Sequence, residues 1–438
     1  MSVSPDSTLT PANLPPTSGP APTVTILNPL TESRWDQRVA QLPAATIFHS
    51  AGWARVLHLT YGFQPYYLVE QQGDAFTGVL PLMEIRSLWG HRRAVSLPFS
   101  DTCSPLLAPL GALESLGAPA SPPAFPEALT SLEAPASSPA CLGTPASPPA
   151  SPPPPQTQKR RLEASAPRSD LSALSDSPLL PTHPTWTRLL HQAGQLAEDR
   201  GWTHLELRPG YPIEGSPAAS TRYYGHEVTL ESTEAAQLSA CEPSVRRSLR
   251  QAQTSGLKVT HGSDWPMVQT YFRLHCLTRR RQGAPPQPMT FFAHLHQELL
   301  VRGLGFVVLV WHESLAIAGA VFLHSGAKAV YKFGASDLKF QHVRPNQLLM
   351  WTGLRQASKL GCTSMDLGRT SLTNEGLRRF KRSWGARETI HAYHRWETRT
   401  GRTVPLPDRS SGWQTILFRR LPSWASQIIG RLAYRFAA

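Results

Sequence analysis

The chain has 438 residues, 40% of them apolar, and a formal charge of +13 with a pI near 9.9. That length allows two domains plus linkers, and the charge points to an anionic partner: nucleic acid, a phosphorylated carrier, a lipid headgroup or a membrane surface. Five scattered cysteines without metal-ligand spacing exclude a disulfide scaffold or zinc site and fit a reducing compartment, and no run of about 18 apolar residues suggests a spanning helix.

Residues 1–23 are rich in Pro, Ser and Thr, lack the basic and apolar regions of a secretory signal, and read as a disordered leader. A strand is predicted at Val24–Leu27 and a helix over Glu32–Gln41. A second helix, capped by Ser50, carries Trp53, Val56 and Leu57 on one face. Strands at Tyr66–Gln71 and Phe76–Ile85 flank a Gln72-Gly73-Asp74 turn, and Arg93–Leu97 leads to the loop PFSDTCSPL. Asp101 in that loop is a candidate for binding an acceptor sugar or peptide; turn formation is its competing role.

Composition then breaks. Nineteen of the 42 prolines fall between Pro105 and Pro184, with near-copies APASPPA, APASSPA and TPASPPA. Such density forbids helix or sheet, so residues 108–183 read as a flexible or polyproline-like insertion. The interrupted domain, 24–107 and 184–224, resumes with a helix carrying Trp186, Leu189, Ala193 and Leu196, then a strand at Thr203–Arg208.

A second domain, 225–400, opens on a strand at His226–Leu230. Its first helix places Val245, Leu249 and Ala252 on one side and Arg246, Arg247 and Arg250 on another, a basic face spaced to meet phosphates, tRNA or a lipid pyrophosphate, with a plain solvated face as its other reading. The next, Trp265–Arg280, brings Tyr271, His275, Thr278 and Arg279 within reach of one another; His275, Thr278, Arg279 and Arg281, beside a proline loop, are a candidate acceptor-binding set, with helix-to-loop capping as their other role. A further helix at Phe291–Arg302 precedes strands at Gly305–Trp311, Ile317–Leu323 and Ala329–Phe333.

The most informative stretch is Arg344–Gly385. Arg344, Pro345 and Asn346 start an amphipathic helix stopped by Gly361, a short strand runs from Thr363 to Leu367, and a polar loop leads to a cationic knot, GLRRFKRSWG. Lys381 stands out, because the chain has 7 lysines against 36 arginines and a compact ammonium is the exception in it. Asp366 is the candidate general base, with an ion pair to Arg369 or Arg344 as its other reading. His391 and His394 form an isolated H-x-x-H in a strand-like run, which does not make a metal site. From 401 to 438 the tail is a basic amphipathic segment, expected to kink at Pro422 and suited to an anionic bilayer or to packing on the protein.

The segments FHSAGWARVLHLTYGFQPYYLVE, VSLPFSD, RRSLRQAQTSGLKV, HCLTRRRQGAP, AIAGAVFL, YKFGASD, RPNQLLMW, DLGRTS and GLRRFKRSWGA, in that order, resemble the FemAB-like, or BioF2-like, acyltransferases of the GNAT superfamily, including the FemAB-related proteins of exopolysaccharide loci. The resemblance implies an α/β (α+β) fold of two tandem GNAT-like domains, each a central mixed β-sheet flanked by helices, with the disordered insertion in the first. It implies direct attack of an amine or hydroxyl on an activated acyl carbonyl, supported by Phe380 and Lys381. Donor contacts are expected at Arg344, Asn346, Phe380 and Arg379, and acceptor contacts at Arg246, Arg250, His275, Arg279 and Asp101. The segment Gln341–Asn346 lacks the glycines with which GNAT enzymes grip the pyrophosphate of coenzyme A, so acyl-CoA and aminoacyl-tRNA both stand as donors. No bound cofactor or metal is expected. The acceptor is expected to be lipid-linked, a saccharide or a peptide, and the protein cytoplasmic, with peripheral contact to the inner face of the membrane through its tail. Two further readings stand beside this one: a peptidoglycan aminoacyltransferase, and a non-catalytic module that binds membrane or nucleic acid.

Overall fold

The computed structural model describes residues 22–110, 183–210, 219–406, 418–419 and 421–437. The leader, nearly all of the proline-rich insertion and much of the tail before residue 421 lie outside the described residues. In the first half the elements are β1 (Thr23–Leu27), α1 (Trp35–Val39), α2 (Ala51–Tyr61), β2 (Gln64–Pro65), β3 (Tyr67–Gln72), β4 (Ala75–Leu80), β5 (Met83–Arg86), β6 (Arg92–Val95) and β7 (Leu106–Leu107). Beyond the insertion come α3 (Pro184–Asp199) and β8 (Trp202–Leu207).

Ser50 caps α2 as its position suggests, its hydroxyl accepting from the Trp53 amide at 3.1 Å. The single strand expected over Phe76–Ile85 is two. Pro81 has no amide proton to give a ladder, and the chain leaves a four-stranded sheet (β1-β3-β4-β7) at Leu80 to enter the larger sheet at Met83.

The helix after the insertion returns to the first half. Glu70 on β3 is buried and receives Thr185 at 2.7 Å, Thr77 at 2.9 Å and Arg188 at 2.5 and 3.0 Å. A Cβ on Gly78 would meet Thr185 at 2.2 Å, so α3 lies hard against β4. Burial pushes the Glu70 carboxyl up, but the bonds from Arg188, Thr185 and Thr77 and the Arg188 charge outweigh it and hold the carboxyl below its usual range. Arg188→Ala strands this buried charge and is expected to cost about 3–5 kcal/mol in urea unfolding at pH 7. The penalty should shrink as pH falls through the folded carboxyl's low value, where wild-type stability from this group is itself lost.

The second half comprises β9 (Thr221–Thr229), α4 (Glu234–Ala240), α5 (Pro243–Thr254), β10 (Lys258–Gly262), α6 (Trp265–Gln282), α7 (Met289–Leu295), β11 (Gly305–His312), β12 (Leu315–Ser325), β13 (Lys328–Ser336), α8 (Pro345–Lys359), β14 (Ser364–Asp366), β15 (Thr370–Ser371), α9 (Glu375–Arg382), β16 (Arg387–Glu397) and α10 (Ser423–Ala437). Among the described residues one sheet runs β10-β11-β12-β13-β14-β9-β16-β8-β6-β5-β2, so β16 joins the halves by pairing with β9 along Arg387–Tyr393 and with β8 along His394–Glu397. Trp53, fully buried on α2, meets Phe291 of α7 edge-on, and Arg55 pairs with Glu298 at 3.0 Å. One apolar cluster accordingly contains residues of both halves. Pro422 precedes α10 rather than kinking it: proline fits the start of a helix, where an amide proton has no partner to lose.

β13 and β14 are parallel neighbours, paired as Lys328↔Ser364, Ala329↔Met365 and Val330↔Asp366. Past that last pair they part. β13 continues to Ser336 without it, whereas the chain after Asp366 turns at Gly368 (φ +75°) and stays with β9, which pairs with β14 and then with β15. The carboxyl ends of diverging parallel strands form a crevice, the place where open α/β sheets bind ligands.

Candidate active site

Three side chains singled out separately in the sequence meet at this crevice: Asp101, Asp366 and Lys381. Asp366 closes β14, and its Oδ1 accepts the Gly368 amide at 2.7 Å. Asp101 arrives from the loop after β6. Its Oδ2 lies 2.5 Å from where a Cβ on Gly368 would stand, so glycine is required there both for φ and for this approach.

The loop carrying Asp101 is strained. Leu97 and Phe99 both have positive φ, 54° and 62°, at a typical cost of about 1–3 kcal/mol each. Other elements hold it. Lys332 of β13 donates to the Phe99 carbonyl, the Tyr393 hydroxyl of β16 donates to the Asp101 carbonyl, and Arg208 reaches the Ser100 carbonyl at 3.3 Å. Phe99 packs on Tyr61 and on Tyr434 of α10, with ring centroids 5.0 and 5.5 Å apart.

Lys381 sits on α9, a helix where the sequence reading expected a loop and knot. Asn374 caps it, accepting the Leu377 amide at 3.1 Å. Arg378, one turn before Lys381, grips Glu388 of β16 with two 2.8 Å bonds and lies 4.0 Å over the Tyr224 ring of β9, which fixes the helix to the sheet. Lys381 is only 4% exposed, and its Nζ donates to the carbonyls of Gly368 at 2.7 Å and Arg369 at 3.0 Å. An ammonium has three protons. Among the described residues the third has no acceptor.

The charges sort themselves. Burial raises the Asp366 carboxyl to about 6, with the Asp101 charge adding to the rise. Burial also opposes ionisation of Asp101, but Lys332, Arg369 and Lys381 overrule it and hold Asp101 below its usual range. Arg369 approaches it at 3.6 Å and stacks on Tyr223 and Tyr393 at 4.4 and 5.1 Å. The ion pair of Arg369 is therefore with Asp101, and among the described residues the hydrogen bond to Asp366 is the Gly368 amide's. Burial lowers Lys381 to about 8, against the pull of Asp101 and Asp366. Two neighbouring carboxyls pushed apart, one fixed as an anion and one able to exchange a proton near neutrality, have the asymmetry of an acid–base site.

The remaining candidates lie elsewhere. Phe380 and Arg379 line an open groove of about 300 Å³ with Gln347 of α8 and Ser244 and Ser248 of α5. At the start of α8, Arg344 (φ 57°) reaches Gln251 at 3.4 Å, and Asn346 reaches the Ser336 hydroxyl at 3.4 Å. Arg250 is exposed on α5, while Arg246 caps α4 through the Leu238 and Ser239 carbonyls. His275 is buried, bonded to Gln287 at 2.8 Å and pushed down to about 3 by burial, a neutral core group rather than one open to an acceptor. Arg279 ties the Pro285 carbonyl to the Tyr434 hydroxyl, at 3.2 and 2.7 Å. His391, buried on β16, bonds to Thr389, and among the described residues no cluster of His, Cys, Asp or Glu could hold a metal.

Lys332 is the participant sequence reasoning passed over. The signal was available: it is another of the 7 lysines, a lone cation in the apolar run AVYKF.

Residues 240–382, which include Lys332, Asp366 and Lys381 but not Asp101, match the family model described as an acetyltransferase (GNAT) domain. Across the fold the chain resembles the crystal structure of FemX, with a TM-score of 0.54 and 13% identity over 84% of this chain and 96% of that one. A tandem GNAT protein from the clavulanic acid biosynthesis pathway aligns over 86% of this chain and 98% of its own, with 10% identity and a TM-score of 0.44. In sequence, 79 residues are 32% identical to the lipid II:glycine glycyltransferase of Staphylococcus aureus, 17% of this chain and 19% of that protein. The chain thus spans about a fifth of the length of the curated relatives it matches. The class these features define is the α/β GNAT-like protein. Within it, residues 240–382 match the acetyltransferase (GNAT) domain, and the fold is similar to that of FemX.

Proposed function

We propose that the protein is an acyltransferase that moves an acyl or aminoacyl group from an activated carrier to an amine or hydroxyl of a cell-envelope or exopolysaccharide precursor. The observation carrying this reading is the pairing of a half-buried Asp366, poised near pH 6, with a buried Lys381 held by two backbone carbonyls at the mouth of diverging strands. In the reaction, the acceptor's nitrogen or oxygen forms a bond to the acyl carbonyl and passes its proton to Asp366. The remaining Lys381 proton faces the charge that develops on the carbonyl oxygen, and the bond to the carrier then breaks, the carrier leaving with its electron pair. No covalent enzyme intermediate is needed. Asp101 and Arg369 line the acceptor side, and Arg379, Phe380, Arg344 and Asn346 the donor side.

The S. aureus relative is by its name a lipid II:glycine glycyltransferase, which favours a lipid-linked acceptor and keeps aminoacyl-tRNA beside acyl-CoA as donor. Exposed Ile428 and Leu432 beside Arg431 and Arg435 on α10 support peripheral membrane contact from the cytoplasmic side; no helix among the described residues is long and apolar enough to cross a membrane. The test is a transfer screen of the full chain with labelled acetyl-CoA and labelled aminoacyl-tRNAs against amine, saccharide and lipid-linked acceptors. The reading expects label in an acceptor. Association with vesicles or RNA but no transfer from any donor would favour a non-catalytic module.

A further inference from the structure

The hairpin joining β5 to β6 closes on Ser87-Leu88-Trp89-Gly90, where the Gly90 amide donates to the Ser87 carbonyl at 3.1 Å and Gly90 takes φ +81°. Turns of this kind favour small and polar residues at their centre. Here the two central positions hold Leu88 and Trp89, 71% and 85% exposed, the two most exposed large apolar side chains among the described residues. The turn geometry does not require them.

Single exposed apolar side chains are ordinary on a protein surface, and a cluster of them is not. Leu88 and Trp89 have apolar company close by. Arg93, on the β6 side of the hairpin, donates from Nη2 to the Phe436 carbonyl at 3.4 Å, which brings the end of α10 beside it. α10 buries Ser426 and Gly430 against the protein, where a Cβ on Gly430 would meet the Pro286 carbonyl at 2.2 Å, and turns Ile428 and Leu432 outward.

The charges these two elements expose are cationic. Arg86 is exposed on the hairpin and Arg431 and Arg435 on α10, and no acidic residue follows Asp408. Glu84, the hairpin's carboxylate, is buried and accepts from Arg86 at 3.2 Å, Arg200 at 3.0 Å and Trp202 at 2.9 Å. A second copy of the chain would set these arginines against their own twins, because a symmetric dimer pairs a patch with itself. An anionic bilayer neutralises them and takes up leucine, isoleucine and the tryptophan ring at its headgroup boundary.

We propose that the turn carrying Leu88 and Trp89 is a membrane anchor, inserting at the headgroup level of an anionic bilayer while α10 lies on the same surface. The anchor rests on the membrane contact proposed for α10 and is independent of the transfer chemistry.

The test is flotation of the full-length protein with vesicles of phosphatidylcholine and phosphatidylglycerol in equal parts, and with phosphatidylcholine alone, repeated on a Leu88→Ser/Trp89→Ser double variant. Both residues are exposed, so the variant should keep the wild-type unfolding midpoint. The expected result is binding to the anionic vesicles, less on neutral ones and in high salt, and weakened at least about tenfold in the double variant, the scale of withdrawing one large apolar side chain from the bilayer. Insertion has its own signal: brominated lipid should quench the tryptophan emission of wild type more than that of Trp89→Phe, which keeps an aromatic ring in the turn. Equal binding by wild type and double variant, or equal quenching, would overturn the anchor and leave α10 alone on the membrane. Wild type that ignores anionic vesicles removes both, and a dimer seen by sedimentation in wild type but not in the double variant would then assign the turn to a second copy. The transferase reading is judged apart: vesicle binding that needs the turn, in a protein with no transfer from any donor, keeps the anchor and removes the enzyme.

Discussion

Asp366→Asn is expected to lower the rate of acyl transfer by about 10²–10⁴-fold while leaving the protein at least as stable as wild type at pH 7.5. The activity loss follows from removing the group that takes the acceptor's proton. The stability expectation follows from the sign of the Asp366 shift. Its folded value, about 6, lies above the ordinary 3.8, so the fold disfavours the ionised form by no more than about 3 kcal/mol. The proton is held more tightly in the folded state, and the stability this group contributes is present below pH 4 and lost as pH rises through 6. Asparagine removes the charge and can still accept the Gly368 amide, which now reaches Asp366 Oδ1 at 2.7 Å. Thermal unfolding at pH 5 and 7.5 checks the second half: wild type should lose more stability between these pH values than the variant does. A structural carboxylate would show the opposite, a destabilised variant at pH 7.5.

Lys381→Met should be the other large effect, lowering kcat by about 10²–10³-fold, the scale of one lost oxyanion donor, with little change in KM. A group that touches only the transition-state charge affects kcat; one that only positions the donor affects KM. Stability moves through opposing contributions. Methionine forfeits the two charge-assisted bonds to Gly368 and Arg369 but also removes an ammonium whose value burial has lowered to about 8. The desolvated ammonium burdens the fold below pH 8, and that burden lifts as pH rises from 8 towards 10.5, so the variant should compare best with wild type near neutrality and worst at pH 10. Steady-state kinetics with urea unfolding at pH 7 and 10 separate the two roles.

Local signals were legible where one residue decides one element. Ser50 caps α2, Gly361 ends the run begun by α8, and the strand periodicities between Gly305 and Phe333 became β11, β12 and β13. Misreadings came where two signals competed. In α9, Gly376 and four cations mask the apolar positions Leu377 and Phe380, whose helical spacing behind the Asn374 cap, continued by Trp384 just past the helix end, was the usable cue. Pro81 sits inside an apolar run and redirects it from one sheet to another.

The site was legible as residues and not as a place. Asp101, Asp366 and Lys381 were each recognisable, but they lie up to 280 positions apart in the sequence (381 − 101), and only the joining of β9, β16 and β8 brings their loops together. The pattern along α6 shows which residues share a face, but does not show that His275 turns into a core of Phe292 and Phe333 instead of towards solvent. Lys332 stood out in its apolar run, but its role depends on the Phe99 carbonyl of a distant, strained loop.

The central claim is that Asp366 and Lys381 act together as proton acceptor and charge stabiliser in a direct transfer. The pH dependence of kcat/KM, taken with the donor and acceptor the transfer screen identifies, tests it most directly. The account predicts a bell, rising as Asp366 ionises near pH 6 and falling as Lys381 loses its proton near pH 8, with the acid limb missing in Asp366→Asn and the alkaline limb missing in Lys381→Met. A flat profile between pH 5 and 9, or a bell that survives both substitutions, would contradict it.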